Sequence, residues 1–404
     1  MTRKQGVCSG SAYGLLALTV WLMGAAAAGN VIEVEPGEDY RPLLDELESG
    51  GELVFLPGEH EGHTVLTISG TEDAPITIRG VLDEDGNPPE LRGMERGHNL
   101  WRIRGDHLVI RDLGFHAPHA YAIRVDEAND ITIENCVFRD CGSGDLSANT
   151  GDVDGLRIRE CTSIGARRTP YYIGNHQGEL DITGFEFERN VIDGSQIEPA
   201  PNTVGYAIQL KLNVRAGVIR ENYITGALGP GIMVYGVEDG EPEDGSRIER
   251  NIVVGSQQNP GIIMGAGPAV AVNNLVLGCE SGGVSVFNYN QWDMLDHIRV
   301  EGNIAAVNTP YDYSFARPLT NFQAMGNVAW TLPDADAFRN LPEGDGVRDN
   351  ESSEASSALA DAVERLQGQV PSRQTLGPVW ESLGRPPETQ NALTALLEQL
   401  LDAE

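Results

Sequence analysis

From about residue 130 onward the apolar positions fall in short runs of two to four residues, not in helical stripes. One pattern recurs: an apolar residue, two mostly polar residues, Asn or Cys, then usually an apolar pair. It reads Ile133-Glu-Asn-Cys136, Ile158-Arg-Glu-Cys161, Phe187-Glu-Arg-Asn190 and Ile219-Arg-Glu-Asn222, and continues through Ile248-Glu-Arg-Asn251, Ala271-Val-Asn-Asn274, Val300-Glu-Gly-Asn303 and Ala324-Met-Gly-Asn327. The Asn or Cys positions are 25, 29, 32, 29, 23, 29 and 24 residues apart. A second motif, a short alternating strand opened by Gly or Ala, appears as Ala122-Ile-Arg-Val125, Ala207-Ile-Gln-Leu210, Gly231-Ile-Met-Val234, Gly261-Ile-Ile-Met264 and Gly283-Val-Ser-Val286.

Units of this size cannot bury an apolar face alone, but stacked units share one continuous core. Strands of successive units then pair in parallel at about 4.8 Å, and Asn at a fixed corner bonds the coils above and below. The pattern therefore predicts an all-β fold, a parallel β-helix (solenoid). The short connections leave no room for βαβ helices, and propeller blades need about 40 residues each. Residues 30–115 fit as its opening coils, with strands around Leu53-Val-Phe-Leu56, Val65-Leu-Thr-Ile68 and Ile76-Thr-Ile-Arg79. Helical spacing over Tyr40–Glu48 predicts an N-terminal capping helix. After Trp330 the sequence turns acidic and rich in Ser and Pro, with helical stretches near Ser356–Gln367 and Thr389–Leu401. The predicted organisation is residues 1–28 as a signal peptide, 29–335 as the β-helix, and 336–404 as an acidic tail with two short helices.

The signal-peptide reading rests on Arg3 and Lys4, the apolar run Leu15–Ala28 and its small-residue end Ala25-Ala-Ala-Ala28, a run too short for a comfortable membrane span. It implies a secreted or periplasmic protein, with no membrane insertion once the signal is removed. Cys136, Cys141, Cys161 and Cys279 are too few for a disulfide scaffold and lack zinc-site spacing. Cys136 and Cys161 hold the ladder corner in consecutive coils. They are either a disulfide or a stack of two reduced thiols.

The formal charge of -32, from 60 acidic and 28 basic residues, weighs against nucleic acid as a partner. All but two of those basic residues are arginine, and beyond residue 4 the only lysine is Lys211. Side chains alternate along a strand, so the positions that follow the alternating strands point outward. Aligning Ile123, Ile173, Ile208, Ile232, Ile262 and Val284 as inward residues places His176, Lys211 and Tyr235 in one outer column. The same alignment puts Arg124, Asp126, Gln209 and Phe287 on that face. A His-Lys-Tyr column is suited to acid–base chemistry, because a crowded lysine loses its proton near neutral pH and tyrosine can donate one.

The segment Leu53-Val-Phe-Leu-Pro-Gly-Glu-His-Glu-Gly62, with Ala74-Pro-Ile-Thr-Ile-Arg79 and the Asn-ladder coils, resembles the pectate-lyase-like right-handed β-helix superfamily over roughly residues 30–330. That resemblance implies a right-handed, single-stranded helix but not one activity, since the superfamily holds lyases, hydrolases, epimerases and binding proteins. Tyr206-Ala-Ile-Gln-Leu-Lys211, followed by Asn222 and Met233-Val-Tyr-Gly236, is similar in layout to family 6 polysaccharide lyases (the chondroitinase B and alginate lyase type), whose base is a lysine. The match carries the base onto Lys211. The family's arginine position falls near Val234–Tyr235, and its acidic calcium ligands are replaced by Tyr206, Ala207 and Gln209, so calcium has no clear ligands here and no cofactor or metal is assigned.

Two functions follow. The first is a lyase or C5-epimerase on an acidic (uronate) polysaccharide, with Lys211 as base, Tyr235 or His176 as acid, and Arg124 or Arg215 neutralising the carboxylate. The second is a non-catalytic glycan-binding solenoid, using aromatics such as Tyr235, Phe287, Tyr289 and Trp292.

Overall fold

The computed structural model describes residues 29–93, 97–199, 204–288, 294–385 and 387–402. The predicted signal segment 1–28 lies outside the described residues, as do Tyr289 and Trp292. The described chain is a parallel β-solenoid of about 12 turns, its strands stacked into three parallel sheets of 14, 12 and 11 strands. One coil runs from Val218–Arg220 in the first sheet to Tyr223–Thr225 in the second and Ile232–Val234 in the third, and re-enters the first at Ser246–Glu249. Like residues stack in register, with Ile219 on Ile248, Ile224 on Val253 and Ile232 on Ile262. This is why the sequence repeats at coil length. In the N-terminal half the interior carries an aromatic column, in which Trp101 meets Phe115 at 5.2 Å and Phe115 meets Phe138 at 5.3 Å between ring centroids.

The ladder sits at the corner between the first and second sheets. Asn222 Oδ1 accepts from the backbone N–H and Nδ2 of Asn190 (2.9 and 3.1 Å), while Asn222 Nδ2 donates to Phe187 O (3.0 Å) and Asn251 Oδ1 (2.8 Å). The residue before each rung is left-handed: Glu160, Arg189, Glu221 and Arg250 have φ of 52–55°. That conformation costs non-glycine residues roughly 1–2 kcal/mol, and the buried bonds of each rung offset it. Cys136 and Cys161 are free thiols at the head of the ladder, with Cys161 Sγ donating to Ile133 O (3.7 Å). The two-thiol stack is the arrangement found. Burial pushes the Cys136 thiol well above its ordinary pKa, with Cys161 adding to the rise.

The expected capping helix is one turn, α1 (Arg41–Leu44), which buries Tyr40 and Leu44 over the first coils. At the other end the solenoid outruns residue 335. Strands Asp336–Arg339, Val347–Arg348 and Glu351–Glu354 add a further coil, and Asn350 is a rung that bonds Asn327. This coil faces solvent and is polar (Glu351–Glu354 is wholly exposed), so hydrophobic patterning does not reveal it. Three helices follow instead of the expected two: α2 (Ser357–Leu366), α3 (Arg373–Ser382) and α4 (Gln390–Leu401). Gly377 and Pro378 mask the helical periodicity of α3, whose start is set by the Ser372 cap. The helices pack on the outer face of the second sheet, against a stripe that includes Ile252, Leu275, Leu277, Ile304 and Trp330. Among the described residues no helix is long and apolar enough to cross a membrane.

Candidate active site

The third sheet fixes the candidate residues. Its register runs Ile123–Leu146–Tyr171–Ile208–Ile232 along the interior and Arg124–Ser147–Tyr172–Gln209–Met233 along the outside. Two corrections to the sequence alignment follow. A further coil, at Gly144–Ala148, lies between those of Ile123 and Ile173, and Ile173 pairs with Leu210, not Ile208. The residue beneath Lys211 is therefore Gly174, while Tyr235, which follows Val234, stands above it. His176 is not in register with either.

Gly174 has φ +82°, and a Cβ there would lie 2.9 Å from the Cβ of Lys211. Glycine thus makes room for the lysine and turns the chain, and His176 returns from that turn to the same point. Lys211 Nζ lies 2.9 Å from His176 Nε2 and 3.4 Å from Tyr235 Oη, and 4.5 Å from the centre of the Tyr235 ring. Gln209 Nε2 donates to Tyr235 Oη at 3.0 Å, and the hydroxyls of Tyr206 and Tyr235 are 3.4 Å apart. Lys211 is 3% exposed, and burial lowers its pKa to about 7. Burial, then the charge of Lys211, lowers that of His176.

Above this cluster opens a cavity of about 430 Å³, lined by Tyr121, Ser143, Arg168, Thr169, Tyr172, His176, Val204, Tyr206, Gln209 and Lys211. In a protein of net charge -32, that lining holds no carboxylate among the described residues. It contains a lysine, an arginine and a histidine instead. The calcium ion of the resembling lyases does not fit these residues, which offer no anionic oxygen. Among the described residues no cluster of three His, Cys, Asp or Glu side chains has metal-binding geometry.

Lys211, His176 and Gln209 therefore meet in one cleft. Tyr235 is fully buried behind Lys211 and does not line the cavity, so it positions the lysine, and the tyrosines that line the cleft are Tyr121, Tyr172 and Tyr206. The other expected binding residues lie elsewhere. Arg124 is three strand spacings from Gln209, roughly 14 Å. It pairs with Asp126 (3.2 Å), which also binds Arg102, Arg104 and Thr150. Burial raises the Asp126 pKa, but these partners outweigh it and hold the carboxyl below its ordinary value. Arg215 does not line the cleft and pairs with Asp244 (3.2 Å). Phe287, 52% exposed, follows Val286, three strands along the sheet from Leu210. Tyr172 was legible as the outward neighbour of Tyr171 and Ile173 once the register was right. Arg168 and Tyr206 lie in corner loops, where no periodicity marks them.

The chain belongs to the right-handed β-helix family, whose model, "Right handed beta helix region", matches residues 102–305. It is 23% identical over 282 residues to an uncharacterized protein of Bacillus subtilis strain 168, YclG. That alignment covers 63% of this chain and 44% of the relative, so the chain spans less than half the relative's length. Among solved structures it is similar to the catalytic unit of the thermostable GH87 α-1,3-glucanase of Streptomyces thermodiastaticus strain HF3-3 (13% identity, TM-score 0.55, 82% of this chain and 70% of that one). It is also similar to an alginate lyase of Paenibacillus sp. strain FPU-7 (16% identity, TM-score 0.48, 79% and 99%). At 13% identity the likeness to the glucanase is one of fold alone.

Proposed function

We propose that this protein is an exported enzyme that acts on an acidic polysaccharide by abstracting the proton at C5 of a uronate residue, as a lyase or a C5-epimerase. The observation that carries the reading is Lys211, the one lysine beyond residue 4, on the floor of a cleft lined by no carboxylate among the described residues, with its Nζ 2.9 Å from His176 Nε2. An amine with a pKa of about 7 is neutral for much of its time at neutral pH, and a base is most effective when its pKa lies near the working pH. Lys211 takes the C5 proton. In a lyase the C4–O4 bond then breaks, a C4=C5 double bond forms, and the Tyr206 hydroxyl gives its proton to the leaving oxygen. In an epimerase the same hydroxyl returns a proton to the opposite face of C5. Tyr235, held by Gln209, links Tyr206 to Lys211 and so joins the acid to the base. The export signal read in residues 1–28 supports an extracellular or periplasmic setting, where such polymers are met.

The test is to incubate the protein with polyuronates of differing sugar and linkage. Ultraviolet absorbance follows unsaturated ends, and deuterium uptake at C5 in heavy water follows epimerisation. Lys211→Ala should remove whichever signal appears. Binding without either signal would leave a glycan-binding solenoid in its place, and undiminished turnover by Lys211→Ala would refute the mechanism.

A further inference from the structure

We infer that Arg168 recognises the substrate carboxylate and makes the cleft select for free uronic acids over their esters or neutral sugars; the inference rests on the proposed action on an acidic polysaccharide. Three observations support it. Arg168 lines the same cavity as Lys211. Many arginines of the solenoid are engaged: Arg102, Arg104 and Arg124 converge on Asp126, Arg215 is on Asp244, and Arg189 and Arg250 share Glu221; of those without a carboxylate partner among the described residues, which include Arg139, Arg167 and Arg317, only Arg168 lines the cleft of Lys211. Among the described residues no carboxylate pairs with Arg168, an exposed side chain at the mouth of a cleft whose lining contains no acid.

Its backbone is also fixed. The N–H of Arg167 donates to Cys141 O (3.0 Å), the carbonyl of Arg167 accepts from Glu198 (2.8 Å), and Pro170 O accepts from both Asp145 and Leu146 (2.9 Å each). The corner between strands Thr162–Ile164 and Tyr171–Ile173 is thus held on both sides of Arg168, and the guanidinium projects from a rigid base. A planar guanidinium binds a carboxylate through two parallel N–H···O bonds, which a lysine cannot reproduce. Placed one coil before Lys211, it would hold the carboxylate on the carbon next to the proton that is removed and stabilise the charge that develops there. Screening limits the repulsion from the protein's overall charge to about 8 Å at physiological salt, so a local cation decides binding in the cleft.

Arg168→Gln and Arg168→Lys separate this role from a structural one, since neither alters the anchored backbone. Binding of a defined oligouronate and of its methyl ester is measured by calorimetry on the wild type and both variants, alongside turnover. Wild type should prefer the free acid. Arg168→Gln should weaken acid binding tenfold or more, leave ester binding unchanged and flatten the salt dependence, while Arg168→Lys restores only part of the loss. Equal acid preference in wild type and Arg168→Gln, or an equal loss for acid and ester, would overturn the inference, as would a wild type that binds no oligouronate. If the wild type binds acid through Arg168 but turns nothing over, the catalytic reading fails and this one stands. If Arg168→Gln turns over polyuronate as wild type does, the reverse holds.

Discussion

Lys211 Nζ lies 2.9 Å from His176 Nε2, although the strand register places Gly174, not His176, beneath the lysine. The contact is made by the turn after Gly174 and not by the sheet. It brings together two groups that become cationic on protonation, without an acid among the cavity-lining residues to balance them. Burial and this proximity both favour the neutral forms.

The rate should follow the lysine. A base works deprotonated, so kcat/KM on a polyuronate should rise about tenfold per pH unit up to about pH 7, the Lys211 value, and level off above it. Lys211→Ala should lower kcat by about 10²–10⁴-fold and remove the ascending limb. A profile that falls as pH rises from 6 to 8 would exclude a neutral lysine as base.

Stability should show the same ionisation. In an unfolded chain lysine keeps its proton to about pH 10.4, whereas in the folded protein Lys211 loses it at about 7. Between those values the unfolded chain binds more protons, so the folded state gains stability as pH rises. Lys211→Met, which keeps the apolar stem, should therefore melt above wild type at pH 6, with the difference shrinking towards pH 10. A difference in Tm that does not change with pH would mean the ammonium is not desolvated.

The fold was legible because a solenoid writes its period into the chain: each rung from Cys136 to Asn327 is a side chain that has to meet its neighbours at one corner. Where that requirement weakens, so did the reading. The last coil has Asn350 in the ladder but a polar strand, and α3 contains Gly377 and Pro378. The site was half legible. A lone lysine in an arginine-rich chain marks itself, and Gln209 follows from alternation. Arg168 and Tyr206 lie in corners whose course the bonds between coils set. Tyr235 was placed in the right register, but whether it faces the cleft or the protein depends on what packs over it.

The ladder carries a measurable share of the stability. Asn251 Oδ1 accepts from the N–H (3.1 Å) and Nδ2 (2.8 Å) of Asn222, and its Nδ2 donates to Ile219 O (2.9 Å) and Asn274 Oδ1 (3.0 Å). Asn251→Ala would leave several buried polar groups unpaired, at about 1–3 kcal/mol for each that stays dry. We expect a loss of about 3 kcal/mol or more in denaturant unfolding, with faster amide exchange at Asn222 than at rungs further away. Uniform exchange along the ladder would argue against rung-by-rung coupling.

Asp145 gives the opposite pH signature to Lys211. It is fully buried beside Ser163 and Cys141, neither carboxylate oxygen has a well-formed hydrogen bond, and burial raises its pKa to about 7. Below about pH 3.9 both folded and unfolded chains hold the proton. Between there and 7 the unfolded chain releases it while the folded one keeps it, so stability falls as pH rises. Asp145→Asn should be more stable than wild type at pH 8 and equal to it below pH 4. Asp312, also raised to about 7 by burial, should add independently in the double variant, because separate sites combine nearly additively.

The C-terminal helices cover a surface that a solenoid cannot leave open. The outer face of the second sheet presents Ile252, Val254, Leu275, Leu277 and Ile304, against which Leu359, Val363, Leu366, Leu376 and Leu397 are buried. The docking is specific as well as apolar. Gln367 Nε2 donates to Gly278 O (3.0 Å), Tyr223 Oη to Gln369 O (3.0 Å), and Arg373 to Asn135 Oδ1 (3.2 Å) and Thr162 Oγ1 (2.6 Å). Each large apolar side chain buried there contributes about 1.5–3 kcal/mol, and an uncovered stripe of this kind promotes association. Ending the chain at residue 355 should leave the strands intact by circular dichroism but produce soluble oligomers and strong binding of a hydrophobic dye. Val363→Asp, which sets a charge against Gly278 in the full-length chain, should reproduce the dye binding and release the helices to proteolysis before the solenoid melts. A monomeric, dye-silent truncation would show that the helices are an appendage and not the cover of that face.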